Sequence, residues 1–163
     1  MVNFVRFKIS AAAQIAKSEY VGDAMSETCL PAEKITRATA KLFLDAGEAV
    51  LKEFTLKNSR RANLIALSPK QKLSIVEVKS SRRDFTSDHK WPEYIGFADY
   101  FYFAVAENFP QDILPDERMC GIILSDGFDA LISRSAPLRP LANVRRAHLI
   151  RQLAVTAMRR LEI

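Results

Sequence analysis

Leu73-Ser74-Ile75-Val76-Glu77-Val78-Lys79 is the stretch on which the fold turns. Its pattern reads as a β-strand, and the two-residue period of a strand sets Glu77 and Lys79 on one face while Val76 and Val78 point the other way. An acid and a base therefore share one edge. Just upstream, residues 62–67 form a second strand-like run, and the polar link Ser68-Pro69-Lys70-Gln71-Lys72 has the length and composition of a hairpin loop. With the loop centred near Lys70, antiparallel pairing brings Asn63 opposite roughly Glu77.

Working outward, Pro31 suits a first helical turn, and Ile35, Ala38, Leu42, Ala46 and Ala49 recur behind it at helical spacing, with Gly47 a slight weakness. Residues 53–57 alternate polar and apolar as a half-buried strand does, and Asn58-Ser59 turns the chain. Beyond Lys79 a charged loop is expected over residues 80–88. A short helix follows over 90–99 with Pro92 in its first turn, then an aromatic strand over 100–106, in which Tyr100, Phe101, Tyr102 and Phe103 read as core. The order is αβββαβ. Past it, residues 108–118 hold Pro110 and Pro115 and read as a loop, and residues 120–124 and 129–134 read as a hairpin around Asp126-Gly127. A last helix over 141–161 places Val144, Leu149, Leu153 and Met158 near one face and Arg145, Arg146, Arg151, Arg159 and Arg160 mostly elsewhere. Residues 1–30 show no sustained period and read as an irregular arm, with a short helix over 11–17. Residues 31–163 read as a single α/β domain.

Composition narrows the classes of function. At 163 residues and 48% hydrophobic content the chain suffices for one sizeable core. No apolar run is long enough to span a bilayer as a helix, and the first twenty or so residues lack the apolar centre and cleavage site of a secretory signal, so the expected location is the cytoplasm. Cys29 and Cys120 are far apart and suggest neither a zinc site nor a disulfide framework. Only His89 and His148 are present, which leaves little material for a histidine triad or a multi-histidine metal cage. The net charge of +5 is compatible with a polyanionic partner and equally with ordinary solubilising surface.

Asn63, Glu77 and Lys79 brought together have the geometry a phosphodiester hydrolase needs. Oxygen ligands from adjacent strands hold Mg²⁺, the metal polarises a phosphate and lowers the pKa of a bound water, and the lysine orients that water or steadies the phosphate charge. A bare Glu-x-Lys is common by chance, and its plain reading is an exposed strand end with a cross-face ion pair. The surrounding order of elements raises its weight.

That order, with Asn63 and Glu77-x-Lys79 in register, resembles the restriction-endonuclease-like PD-(D/E)XK superfamily, whose αβββαβ core has a mixed central sheet flanked by helices. The runs Arg60-Arg61-Ala62-Asn63-Leu64-Ile65-Ala66-Leu67, Ile75-Val76-Glu77-Val78-Lys79-Ser80-Ser81, Asp84-Phe85, Asp88-His89-Lys90-Trp91-Pro92-Glu93-Tyr94 and Phe101-Tyr102-Phe103-Ala104-Val105 are similar to the MmcB-type family of bacterial DNA repair proteins, over about residues 31–163. The resemblance implies a DNA repair protein with metal-dependent nuclease activity, DNA as its partner and room for other repair proteins. It implies Glu77 as a metal ligand, Lys79 as the catalytic lysine and the Val78 carbonyl as a further donor to Mg²⁺ or Mn²⁺. Asn63 stands where the family pattern has aspartate. An amide oxygen can coordinate a hard cation but brings no charge. Two outcomes stay open: another carboxylate compensates, Glu53 or Glu48, or metal binding and cleavage are weakened or lost, leaving a DNA-binding or scaffold protein.

Arg60 and Arg61 precede the Asn63 strand and can grip phosphates, and Arg82, Arg83, His89 and Lys90 crowd the segment after Lys79, along the path of a DNA strand reaching the site. Asp88 is read as a cap of the following helix. Trp91, Tyr94 and Phe97 recur at helical spacing and read as core, with Trp91 also the candidate for base stacking.

Overall fold

The computed structural model describes residues 30–162. The arm expected over residues 1–30, with its helix over 11–17, lies outside the described residues apart from Leu30. One six-stranded sheet runs in sequence order, β1 (Ala49–Thr55), β2 (Arg61–Leu67), β3 (Leu73–Lys79), β4 (Tyr100–Ala106), β5 (Gly121–Ser125) and β6 (Ala130–Arg134). Strands β1, β2 and β3 are antiparallel, β3, β4 and β5 are parallel, and β6 returns antiparallel on β5. The mixed, helix-flanked sheet expected from the sequence is present.

The period of two divides β3 and β4 between two cores. Leu73, Ile75, Phe101, Phe103 and Val105 face Tyr94, Leu149 and Leu153 on one side. Val76, Val78, Tyr102 and Ala104 face Ile35 and Phe43 of helix α1 (Ala32–Asp45) on the other. Every residue of β3 is buried, as a central strand covered on both faces requires.

Four elements differ from the sequence reading, each for a local reason. Helix α1 ends at Asp45 instead of running on to Ala49, because Gly47 adopts φ 79° and closes it: Gly47 N–H donates to Leu44 O at 2.9 Å and Glu48 N–H to Phe43 O at 3.0 Å. Strand β1 consequently begins at Ala49, ahead of the expected 53–57. The charged segment after Lys79 contains a short helix, α2 (Arg82–Ser87), because Ser81 Oγ accepts from Asp84 N–H and the Asp84 carboxylate accepts from Ser80 N–H, both at 3.2 Å. The expected helix over 90–99 is a 3₁₀ segment, Trp91–Phe97, with Pro92 at its start.

Helix α3 (Asn143–Leu161) buries Leu149 and Leu153 but leaves Val144 and Met158 exposed, contrary to the expected stripe. Its arginines are only partly a solvated face. Arg146 forms a two-pronged bond to Asp99, at 2.5 and 2.8 Å, and Arg160 donates to the carbonyls of Lys52 and Glu53, at 2.5 and 2.8 Å. Asp99, fully buried, also accepts from Leu73 N–H at 2.9 Å and Leu141 N–H at 3.3 Å, so one carboxylate joins the start of β3, the approach to α3 and α3 itself.

Candidate functional site

The β2–β3 register is the one a loop centred at Lys70 imposes, with Leu64 opposite Val76 and Leu67 opposite Leu73. At the next step toward the open end, side chains splice the two strands. Asn63 N–H donates to Glu77 Oε1 at 3.2 Å, and Val78 N–H donates to Asn63 Oδ1 at 2.9 Å. The remaining end of the Asn63 amide, Nδ2, points to Glu53 Oε1 at 3.5 Å, on the next strand over. Glu53 in turn pairs through Oε2 with Arg61 Nε at 2.8 Å. Its backbone sits at φ 50°, a left-handed conformation uncommon for a side chain of this size.

Glu77 and Lys79 emerge on one face, as the strand period dictates, and both are buried to 5% exposure. Burial raises the Glu77 pKa to about 7, against the opposing pull of the Asn63 N–H and of Lys79. Lys79 Nζ meets Asp88 Oδ2 at 2.6 Å and lies 3.9 Å from Asp84 Oδ1. For Asp88, burial works to raise the pKa, but the bonds from Lys79 and from Lys90 N–H outweigh it and the carboxyl titrates below its ordinary range. An aromatic wall flanks this chemistry: the Phe103 ring lies 5.4 Å from Phe85 and 5.6 Å from Trp91, and Trp91 stacks on Phe101 at 6.0 Å.

Of the candidate ligands, Asn63, Glu77 and Glu53 come together across β1, β2 and β3. Glu48 does not join them. It precedes Ala49, which pairs with Leu67 at the end of β2 remote from Asn63, and its carboxyl, raised in pKa by burial, acts electrostatically on Tyr102 of the opposite sheet face. Val78 meets the cluster through its N–H, and its side chain packs on the α1 side. Among the basic candidates Arg60 is held by Glu93 through two bonds of 2.8 Å, and Arg61 by Glu53. Arg82, Arg83, His89 and Lys90 are exposed on and just after α2. Trp91 is half-buried and belongs mainly to the aromatic wall, so its core reading outweighs its stacking one. Asp88 serves as the partner of Lys79 and not as the expected cap of the following helix, whose N-cap is Lys90 with no side-chain bond; it stands instead at the C-terminal end of α2. No local signal pairs residues nine apart across a loop.

A hard divalent cation asks for about six oxygen donors, several of them charged. The cluster offers two carboxylates, Glu77, which keeps its proton until about pH 7, and Glu53, which is paired with Arg61, together with an amide whose oxygen is turned to a backbone N–H and a buried lysine. Among the described residues no three His, Cys, Asp or Glu side chains converge to hold a metal. As arranged, these residues do not fit Mg²⁺ or Mn²⁺.

The class so defined is a mixed α/β domain with a Glu-x-Lys pair at the end of a buried third strand, spliced to its neighbour by an asparagine. A family model described as DNA repair protein MmcB-like matches residues 18–163, and the chain belongs to that family, as the resemblance implied. Among solved structures, the SPO1766 protein of unknown function from Silicibacter pomeroyi is similar, at 36% identity and a TM-score of 0.77, over 81% of this chain and 89% of that one. No curated protein matches. Among the described residues no helix is long and apolar enough to cross a membrane.

Proposed function

We propose that this protein binds DNA in repair on a PD-(D/E)XK-type scaffold and does not itself cut DNA. Family membership supplies the repair context. The observation that carries the rest is the direction of the Asn63 amide. The Val78 N–H donates and so requires an oxygen opposite it, which turns Oδ1 to β3 and Nδ2 to Glu53. An NH₂ group thus faces Glu53, where an aspartate offers a second, charged oxygen. Lys79, matched to Asp88, is already neutralised. In this reading, DNA is held through its phosphates by Arg82, Arg83 and Lys90 on the exposed side of the cluster.

Fluorescence anisotropy on labelled single-stranded, duplex and branched DNA tests the binding, and gels of the same samples with Mg²⁺ or Mn²⁺ test cleavage. Binding that weakens with salt, a salt slope reduced by about 2 in Arg82→Ala/Arg83→Ala, and intact DNA throughout are expected. Cutting by the wild type that Lys79→Ala abolishes overturns the non-cutting reading.

A second reading, a nuclease in which Glu53 replaces the missing charge, draws on one observation: Glu53 lies beside Asn63 and is held in a left-handed conformation, as residues at functional sites often are. Its pairing with Arg61 weighs against it.

A further inference from the structure

Strand β1 is an edge of the sheet, and among the described residues no strand pairs with its outer side. In an antiparallel edge strand, alternate residues turn their backbone groups outward. The Lys52 carbonyl faces out, since it accepts from Arg160 Nη1 at 2.5 Å, so Val50, two residues earlier in the same register, presents its N–H and its C=O on the open side. At Glu53 the backbone turns to φ 50°, and Arg160 also donates to the Glu53 carbonyl at 2.8 Å. The left-handed residue and the arginine close the edge beyond Lys52. Before Lys52 it stays open.

A groove of about 500 Å³ runs along this open stretch, with Arg37, Ala40 and Leu44 of α1 in one wall, Val50 and Lys52 of β1 in the other, and Arg160 reaching round the edge from α3. Arg37 and Lys52 are exposed and enter no ion pair among the described residues, and Arg160 gives its donors to carbonyls, which leave its charge uncancelled. Lys41, also in the wall, is already matched to Asp45 at 2.9 Å and to Asp129 at 3.1 Å. Between the three uncancelled cations the wall is apolar, and Leu44 leaves 56% of its surface in water. The groove lies across the sheet from the Glu77 cluster. Val50 and Lys52 stand opposite Ala66 and Leu64, which pack toward α1, whereas Glu77 lies beside Phe103 of the other core.

Uncancelled positive charge calls for an anionic partner, an open strand edge for an extended main chain, and an exposed leucine for an apolar side chain. An acidic peptide supplies all three. A DNA strand supplies the charge but has no peptide main chain with which to continue the sheet. We propose that the groove between α1 and β1 docks an acidic, extended segment of a partner protein, which adds to the open edge at Val50, sets carboxylates against Arg37, Lys52 and Arg160, and lays an apolar side chain on Leu44. This docking goes beyond the DNA-binding reading and does not depend on it. Phe85 of α2 packs into the core on the Glu77 side, so DNA held by Arg82 and Arg83 leaves the groove accessible.

Fluorescence anisotropy of a labelled short peptide of alternating glutamate and valine, titrated with the full chain, tests the docking. The same peptide with glutamine for glutamate, a copy N-methylated at alternate amides, and labelled single-stranded DNA serve as comparisons. The glutamate peptide should bind, more weakly as salt rises, and the glutamine and N-methylated forms should each lose roughly tenfold. Arg37→Ala/Lys52→Ala should cost roughly tenfold on the glutamate peptide and little on DNA, and bound DNA should leave the peptide in place. Unchanged melting temperatures show that the variant folds. Absence of binding by the glutamate peptide, or an affinity indifferent to its charge, its N-methylation or the two substitutions, overturns the proposal. DNA that displaces the peptide and loses as much affinity in Arg37→Ala/Lys52→Ala also overturns it and assigns the groove to DNA. Peptide binding as expected in a protein that holds no DNA leaves the groove standing and removes the DNA-binding reading instead.

Discussion

Glu77 near the end of β3 and Asp99 just ahead of β4 are both carboxylates nearly closed to water, at 5% and 0% exposure, yet they are held in opposite ways. Asp99 receives two backbone N–H groups and both prongs of Arg146, with Lys72 at 3.5 Å. Burial works to raise its pKa, but these donors overcome it and hold the carboxyl well below its usual range. Glu77 receives one N–H, and its neighbour Lys79 spends its charge on Asp88, so burial wins and the pKa climbs to about 7. Depth does not decide what a buried acid does; the donors around it do. A well-supplied carboxylate is a clamp, and an under-supplied one marks a site whose chemistry is incomplete.

The largest expected effect breaks the clamp. Asp99→Ala leaves the largely buried Arg146 charge with the Gln71 and Leu141 carbonyls but without a counter-charge, and should cost about 3–5 kcal/mol in urea unfolding at neutral pH. A loss within the range of surface substitutions would end the contrast. The pH profiles sharpen it, because the two groups have opposite signs. With its pKa depressed, Asp99 contributes fully above about pH 4 and loses that contribution as pH falls through its folded pKa. Asp99→Asn should flatten the acid limb of the stability curve.

Glu77 runs the other way. With its pKa raised from 4.5 to about 7, its favourable contribution is whole below about pH 4.5 and is lost as pH rises through about 7. Glu77→Gln keeps an oxygen for Asn63 N–H and removes the ionisation, so above pH 8 it should stabilise the protein, by up to about 3 kcal/mol. Unfolding curves at pH 5 and pH 8 measure this directly. Destabilisation at pH 8 would show that the ionised carboxylate is better served than its single N–H suggests.

Much of the site was legible in the sequence. A symmetric polar loop centred on Lys70 and the two-residue period placed Asn63 beside Glu77, and Glu77 beside Lys79, with no knowledge of the rest. The order of strands followed from runs bounded by turn residues. Helical periodicity carried α1 past Gly47 because apolar spacing does not register a left-handed glycine. Asp99, Asp88 and Arg146 went unrecognised because their roles lie in partners distant along the chain. Arg146 and Asp99 are 47 residues apart, and neither carries a local mark of the other. The turn of the Asn63 amide was equally invisible, since it depends on which backbone N–H stands across the strand.

The most direct test is a Mn²⁺ titration followed by electron paramagnetic resonance at pH 8, where Glu77 is mostly ionised, on the wild type and Asn63→Asp. The expected result is no specific site in the wild type and one in Asn63→Asp, because only the second oxygen completes the cluster. A wild-type site that disappears in Glu77→Gln would contradict it, and would show that the asparagine does not disarm the centre.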